Sequence, residues 1–331
     1  MMIKDLTFEN TVSFLKEKKD TLIIFHVRPD ADAIGSAFGL RFILEALGSR
    51  AYCISSDEIP SRLRFLSDGV QDSSLTSSIP KSIESPRIIA VDCASASQIG
   101  SIFEDFKPTL SIDHHGTSQR YSDGYVLPNA AATGEIIYDV SKALIADGSI
   151  KELPPRFYTC VYAAISSDTG GFRYSNTTPD TLRRAAEIIS YGIDFADINH
   201  RLFVSKPMSA LAVESAAIKR LRTYRDGKIS VVAIDYPDIV YLGLSFENLD
   251  LLIETARALE GSLVAVSVRR DEADGAFRVS MRSVCDVDVS EICAVFGGGG
   301  HTRAAGCSVS ANDLETAVSL VVAEIERKLN V

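Results

Sequence analysis

Short, mainly apolar runs alternate with amphipathic stretches along the first half of the chain. The apolar runs are typical of strands buried on both faces of a parallel sheet; they span residues 21–27, 87–94 and 110–115. The stretches with helical periodicity predict helices over residues 33–47, 133–146 and 155–167. Because parallel neighbours are joined by crossovers, this order predicts a mostly parallel sheet with helices on both faces.

The pattern changes after about residue 190, where strands and helices no longer alternate regularly. Helices are predicted over residues 207–223, 249–259 and 314–329, and strands over residues 228–236, 262–270 and 276–283. The last two strands flank a turn at 272–275 and predict a hairpin. We therefore expect an α/β fold in three parts: a larger domain at 1–190, a helical linker at 191–215 and a smaller α+β domain at 216–331.

Composition narrows the class of protein. A length of 331 residues suits two domains, and 46% hydrophobic with 24% charged residues is ordinary for a soluble globular protein. No apolar run approaches the ~20 residues of a membrane helix, and the N-terminus lacks the apolar core of a signal peptide. The six cysteines form no CxxC pair, so we expect buried thiols in a reducing, cytoplasmic setting. A net charge of −10 argues against a general basic surface for long nucleic acids.

Aspartates and histidines follow the predicted strands, at the ends where parallel sheets bind ligands. They form four clusters: His26, Asp30 and Asp32 after the first strand, Asp92 after the second, Asp113, His114 and His115 after the third, and Asp168 after a later apolar stretch. Carboxylates and imidazoles suit Mn²⁺, Mg²⁺, Fe²⁺ or Zn²⁺, and the absence of cysteine from the clusters argues against structural zinc. Asp30 and Asp32 can direct one carboxylate to each of two ions, as in phosphoryl hydrolysis.

Each cluster taken alone has an ordinary structural interpretation. His26 suits a core, Asp30 can cap the helix that follows it, and the segment 113–115 can form an exposed turn. Their joint occurrence at successive element ends favours a two-metal site.

A glycine run at 297–300 precedes His301 in the second half of the chain. Backbone amides of such a run can approach an anion closely. The candidate phosphate ligands are Gly298, Gly299, Gly300 and His301, with Arg282 and Ser283 on a facing strand. The alternative is a flexible loop, a weaker interpretation because a run of four glycines is entropically costly.

These motifs together resemble the DHH phosphoesterase superfamily. The segment HVRPDADAIGS at 26–36 is similar to its first motif; the second contains Asp92, the third is Asp113-His114-His115 and the fourth is SSDTG with Asp168. The segment GGGGHTRAAG at 297–306 resembles the signature of the accessory DHHA1 domain. The resemblance covers nearly the whole chain. It implies a DHH catalytic domain and a DHHA1 substrate-binding domain, with the active site in the cleft between them.

The resemblance also implies a role for each residue. One ion would be held by His26, Asp30 and Asp92, and the other by Asp32, Asp92, His114 and Asp168, so that Asp92 bridges them. Asp113 would orient the neighbouring imidazole, and His115 would contact the scissile phosphate, stabilising charge or protonating the leaving oxygen. Arg282, Ser283, the glycine loop and His301 would hold a second phosphate. The two ions would be Mn²⁺, with Mg²⁺, Fe²⁺ or Co²⁺ as alternatives.

In length and domain content the chain resembles the members that combine oligoribonuclease and 3′-phosphoadenosine-5′-phosphate (pAp) phosphatase activities. This implies a Mn²⁺-dependent phosphodiesterase, exoribonuclease and 3′(2′),5′-bisphosphate nucleotidase. It would hydrolyse very short RNA (nanoRNA), pAp or linear dinucleotides such as pApA by two-metal activation of water. Two alternatives stay open: an inorganic pyrophosphatase or exopolyphosphatase, and a non-catalytic nucleotide-sensing module. The expected partners are short oligonucleotides or bisphosphorylated nucleotides, not long duplexes or membranes; a homodimer is compatible with the sequence.

Overall fold

A five-stranded parallel sheet organises the first part of the chain. The computed structural model describes residues 3–67, 85–273, 275–284 and 286–329, and the chain divides into two units, Met1–Ser205 and Lys206–Val331. The strands of the first unit are β1 (Thr21–Ile24), β2 (Ala51–Ile54), β3 (Arg87–Val91), β4 (Leu110–Asp113) and β5 (Asp123–Val126). They lie in the order β2-β1-β3-β4-β5, and each neighbouring pair is parallel.

Helices cover this sheet, as the sequence pattern predicts. They are α1 (Phe8–Lys16), α2 (Ala31–Ala46), α3 (Ala96–Ile99), α4 (Thr133–Ala146), α5 (Pro155–Asp168), α6 (Pro179–Ile189) and α7 (Phe195–Asn199). Short 3₁₀ segments lie at Ser61–Leu66 and Gly100–Ile102, and a π turn follows at His200–Val204. All four residues of β1 are buried. Ile23 belongs to the core that contains α2, α4 and α5, whereas its neighbour Leu22 belongs to a smaller core with Phe106, so both faces are packed.

Close packing of α2 against α5 sets the spacing of two candidate site residues. A Cβ on Gly35 would lie 2.4 Å from the carbonyl oxygen of Cys160, so a larger residue would push the helices apart. Asp32 lies in the first turn of α2, and Asp168 is the last residue of α5. The glycine of the first motif therefore lets two helices bring their carboxylates towards the same place.

The second unit contains a six-stranded mixed sheet. Its strands are β6 (Leu221–Tyr224), β7 (Ile229–Ile234), β8 (Val264–Arg269), β9 (Phe277–Ser283), β10 (Gly299–His301) and β11 (Ala304–Val309), in the order β10-β11-β9-β8-β7-β6. Within this second sheet, β7 and β8 pair in parallel and the other described neighbours are antiparallel. Its helices are α8 (Met208–Arg220), α9 (Tyr236–Tyr241), α10 (Leu251–Arg257), α11 (Val289–Val295) and α12 (Leu314–Leu329), with a 3₁₀ turn at Phe246–Asn248. One core joins α11 and α12 to the sheet, and a second joins α8, α9 and α10 to the opposite face of β7 and β8.

The structure confirms the predicted α/β class and the hairpin β8–β9, and α4 has the predicted bounds. The predicted glycine loop differs, because Gly299–His301 forms strand β10.

Four described cysteines are buried, Cys307 is half-buried and all five are free. Residue 274 of the predicted turn and the sixth cysteine, residue 285, lie outside the described residues. The linker at 191–215 stays a prediction; the two units divide after Ser205. Across the described ranges, no helix has the length and apolar character that crossing a bilayer requires.

Candidate metal centre

Aspartates and histidines meet at the carboxyl edge of the parallel sheet. His26 follows β1, Asp92 follows β3, and Asp113 ends β4 directly before His114. The sheet order changes direction between β1 and β3, since β2 lies on one side and β4 and β5 on the other. Such a switch point leaves a crevice beyond the strand ends, where α/β sheets bind ligands. The first unit therefore places these side chains at a site suited to a ligand.

Two helices bring three more carboxylates to this edge. Asp30 is the N-cap of α2, and its Oδ1 accepts a hydrogen bond from the backbone N–H of Ala33 at 3.0 Å. This capping role does not exclude metal binding, because a carboxylate offers two oxygens. Asp32 is fully buried in the first turn of the same helix, and Asp168 places its Oδ2 3.2 Å from His114 Nε2.

Asp92 lies between the two histidines that follow β1 and β4. Its Oδ2 is 3.6 Å from His26 Nε2, and its Oδ1 is 3.7 Å from His114 Nε2. The side chain is 2% exposed, and its Oδ1 accepts a hydrogen bond from Thr133 Oγ1 at 2.8 Å. The backbone of Asp92 has φ of +59°, a left-handed conformation that aspartate tolerates better than most residues. The two oxygens of one carboxylate thus face two different imidazoles.

Both of these histidines are held in the tautomer that a metal ligand needs. His26 Nδ1 lies 2.8 Å from the carbonyl oxygen of Val27, and His114 Nδ1 lies 3.2 Å from that of Ala130. A carbonyl accepts only, so each Nδ1 carries the hydrogen and donates it. The lone pair of the neutral ring is then on Nε2, the atom that faces the carboxylates.

Three groups of side chains have geometry that could hold a cation. They are His26, Asp30 and Asp92; Asp32, His114 and Asp168; and Asp92, His114 and His115, with the ligand atoms of each group within 4.8 Å of one another. His114 Nε2 is buried and accepts or donates no hydrogen bond among the described residues, despite its 3.2 Å approach to Asp168. A buried polar atom left without a partner is costly, and a cation would satisfy it. The oxygen and imidazole donors therefore fit two divalent ions that share residues.

The hydrogen bonds around Asp32 involve residues that sequence reasoning missed. Its Oδ1 accepts from Ser36 Oγ at 2.8 Å and from the backbone N–H of Gly134 at 2.9 Å. Its Oδ2 accepts from the backbone N–H of Thr133 at 2.8 Å, which leaves one lone pair directed to the site. Asp32 thus caps the N-terminus of α4, and Thr133 also fixes Asp92. The only sequence signal was the Thr-Gly-Glu start of the predicted helix, which does not reveal its distant partners.

The crowded carboxylates change the protonation of the metal-free site. Burial, with the negative charges of Asp92 and Asp168, raises the pKa of Asp32. Burial alone would lower the pKa of His26, but the carboxylates of Asp30 and Asp92 raise it to about 11. Burial likewise opposes the carboxylates around His114, whose pKa is raised to about 10. Protons therefore supply the positive charge that the cluster needs in the absence of cations.

Asp113 and His115 form a separate hydrogen-bonded pair beside this cluster. Asp113 Oδ1 lies 2.7 Å from His115 Nδ1 and also accepts from the backbone N–H of His114 at 2.8 Å and of His115 at 3.2 Å. The hydrogen bond to Asp113 raises the pKa of His115. The His115 side chain is 38% exposed, against 13% for His114, so a substrate can reach it. Because Nδ1, the His115 atom nearest Asp92, is already bonded to Asp113, this arrangement suits proton transfer better than metal binding.

The candidate phosphate ligands lie in the second unit and only partly share a face. His301 pairs with Ala304, and Ala304 pairs with Arg282, so the two basic side chains stand in one row across the sheet. Successive side chains of a strand alternate, and Ser283 points to the opposite face. It is 6% exposed, and its hydroxyl donates to the carbonyl oxygen of Val287 at 2.8 Å. The structure therefore does not bring the Ser283 side chain together with Arg282.

The glycine run has a structural role that the sequence did not predict. The N–H groups of Gly297 and Gly298 donate to the carbonyls of Ala294 and Cys293 at 3.0 and 2.9 Å and end α11. A Cβ on Gly298 would lie 2.3 Å from the Gly306 carbonyl oxygen, so glycine is needed for this close approach. The Gly298 amide is thus not available to a phosphate. Gly299 and Gly300 belong to the edge strand β10, where alternate amides point away from the sheet.

Comparisons with known proteins agree with these two units. Residues 20–165 match the DHH family, N-terminal domain, and residues 238–327 match the DHHA1 domain. The bifunctional oligoribonuclease and PAP phosphatase NrnA of Thermus thermophilus is 33% identical over 309 residues, which cover 93% of this chain and 89% of that protein.

Two solved structures share the fold. The exopolyphosphatase-related protein from Bacteroides fragilis has a TM-score of 0.84 at 20% identity, covering 97% of this chain and 95% of that one. Thermus thermophilus RecJ in complex with Mn²⁺ has a TM-score of 0.55 at 14% identity, covering 97% of this chain and 55% of that one. Since both family models match and one curated relative aligns along nearly the whole chain, this protein belongs to the DHH phosphoesterase family, carries a DHHA1 domain and is a hydrolase.

Proposed function

We propose that this hydrolase is a Mn²⁺-dependent enzyme that cleaves very short RNA, pAp and linear dinucleotides such as pApA. The observation that carries the proposal is the position of Asp92, whose two oxygens face the Nε2 atoms of His26 and His114 at 3.6 and 3.7 Å. Two cation sites that share a carboxylate are the usual architecture for hydrolysis of phosphate esters. The name of the Thermus relative, an oligoribonuclease and PAP phosphatase, supports the substrate class.

The metal assignment rests on the donor set. His26, Asp30 and Asp92 would hold one ion, and Asp32, Asp92, His114 and Asp168 the other. Aspartate oxygens with imidazole suit Mn²⁺, the ion in the solved RecJ structure. When bound, such ions lower the pKa of water and screen the negative charge of a phosphate.

His115 would act on the leaving group. Asp113 accepts a hydrogen bond from Nδ1 of the imidazole and stabilises its cationic form, which keeps a proton on Nε2. That proton can pass to the leaving oxygen, the usual contribution of a positioned general acid. Asp113 would be a positioning residue, because its contact is with the imidazole and with backbone amides.

Arg282 and His301 would bind a second phosphate of the substrate. Among the described residues Arg282 makes no ion pair; its Nη1 donates to the carbonyl oxygen of Met281 at 2.9 Å. An unpaired guanidinium is suited to a phosphate. Outward amides of Gly299 or Gly300 would add donors, whereas Ser283 and Gly298 are left out because their polar groups are already bonded.

A substrate panel tests the function. The protein, freed of metal and then supplied with MnCl₂, is incubated with pAp, pApA, RNA of two to five and of more than twenty nucleotides, and pyrophosphate. We expect turnover of the short nucleotides and little of the long RNA. Preferential hydrolysis of pyrophosphate would favour the pyrophosphatase alternative, and no turnover of any substrate would favour the sensing alternative.

The phosphate clamp has its own test. Arg282→Ala should reduce kcat/KM for pAp about 10- to 100-fold, as expected for the loss of a charge-assisted contact. Hydrolysis of bis-p-nitrophenyl phosphate, which has no second phosphate, should barely change. Arg222→Ala, a change of an exposed arginine on β6 of the same sheet that pairs with Glu315, controls for general effects on the sheet. An equal loss on both substrates would show that Arg282 supports folding and not the substrate.

A further inference from the structure

A pocket of about 410 Å³ lies on the sheet of the second unit, and no role in the proposed mechanism uses it. Residues of three strands line it, together with the glycine turn that ends α11; the polar ones include Ser267, Ser280, Ser308, Arg269 and Arg278. The volume is within the usual range for small-molecule sites.

The floor of the pocket is polar and consists of small residues. Ser267 of β8 pairs with Ser280 of β9, which pairs with Gly306 of β11. Two strand spacings make this row about 9.6 Å wide. No side chain in the row is larger than a hydroxymethyl group, so a planar ring can lie close to the sheet.

The three serine hydroxyls of the pocket make no side-chain hydrogen bond in the part of the chain that the structure describes. Within the described residues, Ser267, Ser280 and Ser308 donate and accept no side-chain hydrogen bond, unlike Ser230 of the neighbouring strand, which donates to the Ala256 carbonyl at 2.8 Å. Ser267 is only 5% exposed. Because these hydroxyls line the pocket without a side-chain partner, they are free to donate to and accept from a polar ligand there.

The charges of the pocket exclude a second phosphate as its main occupant. Arg269 contacts Asp250 at 3.2 Å and Asp271 at 3.1 Å, and Arg278 contacts Asp271 at 3.1 Å. Two arginines facing two aspartates leave no net charge. Arg282, two residues beyond Ser280 on the same face, makes no ion pair with any of the described residues. This face of the sheet therefore places the cationic Arg282 about 7 Å along the strand from a neutral pocket that is lined by hydroxyl groups.

We infer that this pocket binds the nucleobase of the nucleotide whose phosphate Arg282 holds. The inference rests on the proposed function and adds the determinant that distinguishes nucleotides from other phosphate esters. The serine hydroxyls donate to and accept from the edge of the base, since a hydroxyl can do both. The guanidinium of Arg278, 60% exposed on its side-chain surface, offers a plane on which the ring can stack.

Binding of matched ligands tests the inference. AMP and ribose 5-phosphate carry the same phosphate and differ in the base, so their dissociation constants from the Mn²⁺-loaded full chain are compared by calorimetry. We expect AMP to bind at least about tenfold more tightly, the scale of one or two net hydrogen bonds. In Ser267→Ala/Ser280→Ala the difference should shrink to about twofold, with ribose 5-phosphate unchanged.

Ser319→Ala on an exposed position of α12 is the matched control, because α12 packs on the opposite face of the sheet. Equal affinities of wild-type protein for the two ligands would overturn the inference without any variant. So would a base preference that survives the double substitution in a protein with an unchanged melting temperature.

The substrate panel separates this failure from that of the proposed function. Turnover of pAp without a base preference would refute the pocket alone. A preference for AMP that the double substitution abolishes, in a protein that cleaves no nucleotide, would support the pocket and refute the enzyme.

Discussion

Replacing Asp92 by asparagine keeps the shape of the side chain but removes one negative charge and one oxygen ligand. Asparagine also tolerates the positive φ at this position, so the backbone should stay in place. Thr133 Oγ1 donates to Asp92 Oδ1, and it would orient the amide by continuing to donate to its oxygen. The NH₂ group then stands at the former Oδ2 position, 3.6 Å from His26 Nε2.

This orientation predicts an unequal loss of the two cations. The site with His26 and Asp30 loses the oxygen ligand that Asp92 supplied, because an NH₂ group has no lone pair to offer a metal. The site with His114 keeps its oxygen ligand from residue 92. Both sites lose one negative charge, and two unit charges about 4 Å apart interact by about 4 kcal/mol at an effective dielectric of 20, so affinity should fall about 1,000-fold at each site and further at the first, which also loses a ligand. Metal content should fall from two ions to one.

Equilibrium dialysis with MnCl₂ followed by elemental analysis measures this stoichiometry, and activity on pAp is followed in parallel. We expect Asp92→Asn to lose more activity than His26→Ala, since the carboxylate serves both sites. Asp139→Asn is the matched control, because Asp139 pairs with Arg184 at 2.5 Å and takes no part in the three candidate metal groups. It should bind two ions like the unchanged protein.

Two ions bound to Asp92→Asn with near-normal affinity and turnover would show that Asp92 is not a shared ligand. Loss of both ions with an unchanged melting temperature of the metal-free protein would instead refute the orientation by Thr133. A protein that melts at lower temperature without metal would point to a folding defect, and the comparison would then use His26→Ala against His114→Ala.

Three further predictions follow from the same geometry. His115→Ala should lower kcat by about 10²- to 10⁴-fold with unchanged metal content, whereas His114→Ala should lose metal; equal loss in both would make His115 a ligand. Metal binding should release protons and tighten as pH rises, because His26 and His114, with pKa values of about 11 and 10, hold protons at neutral pH that a ligand must give up. Calorimetry in buffers of different ionisation enthalpy checks this, and a heat independent of the buffer would contradict it. Gly35→Ala should destabilise the protein by about 1–3 kcal/mol, because its Cβ would lie 2.4 Å from a carbonyl oxygen of α5. Urea unfolding measures the loss against Gly116→Ala, where the nearest atom is 3.8 Å away, and equal midpoints would count against it.

Local pattern was enough for the elements that hold the candidate ligands. Strand β1 is buried at all four positions and α4 keeps one face in the core, so their apolar periodicities are visible in the chain itself. His26, Asp92 and His114 lie within two residues of the ends of β1, β3 and β4, and the carboxyl ends of parallel strands share one edge. Hence the convergence of His26, Asp92 and His114 could be expected before any coordinates were known.

Short edge elements were missed for a related reason. Strands β2 and β5 have four residues each, like β1, but neither lies within an apolar run as long as residues 21–27, and the partly exposed β5 is stabilised by pairing with β4. Their existence depends on a neighbouring strand and not on their own composition.

Only the tertiary structure decided which polar groups are already hydrogen-bonded within the protein. Thr133 and Gly134 serve Asp32 although they lie 101 and 102 positions away in the sequence. The Gly298 amide ends a helix and Ser283 faces the core side, so two candidate phosphate ligands proved to be bonded within the protein. Sequence determines what a residue can donate or accept. Which group becomes its hydrogen-bond partner depends on contacts between distant segments, because a buried polar group forms hydrogen bonds with the groups that the fold places beside it.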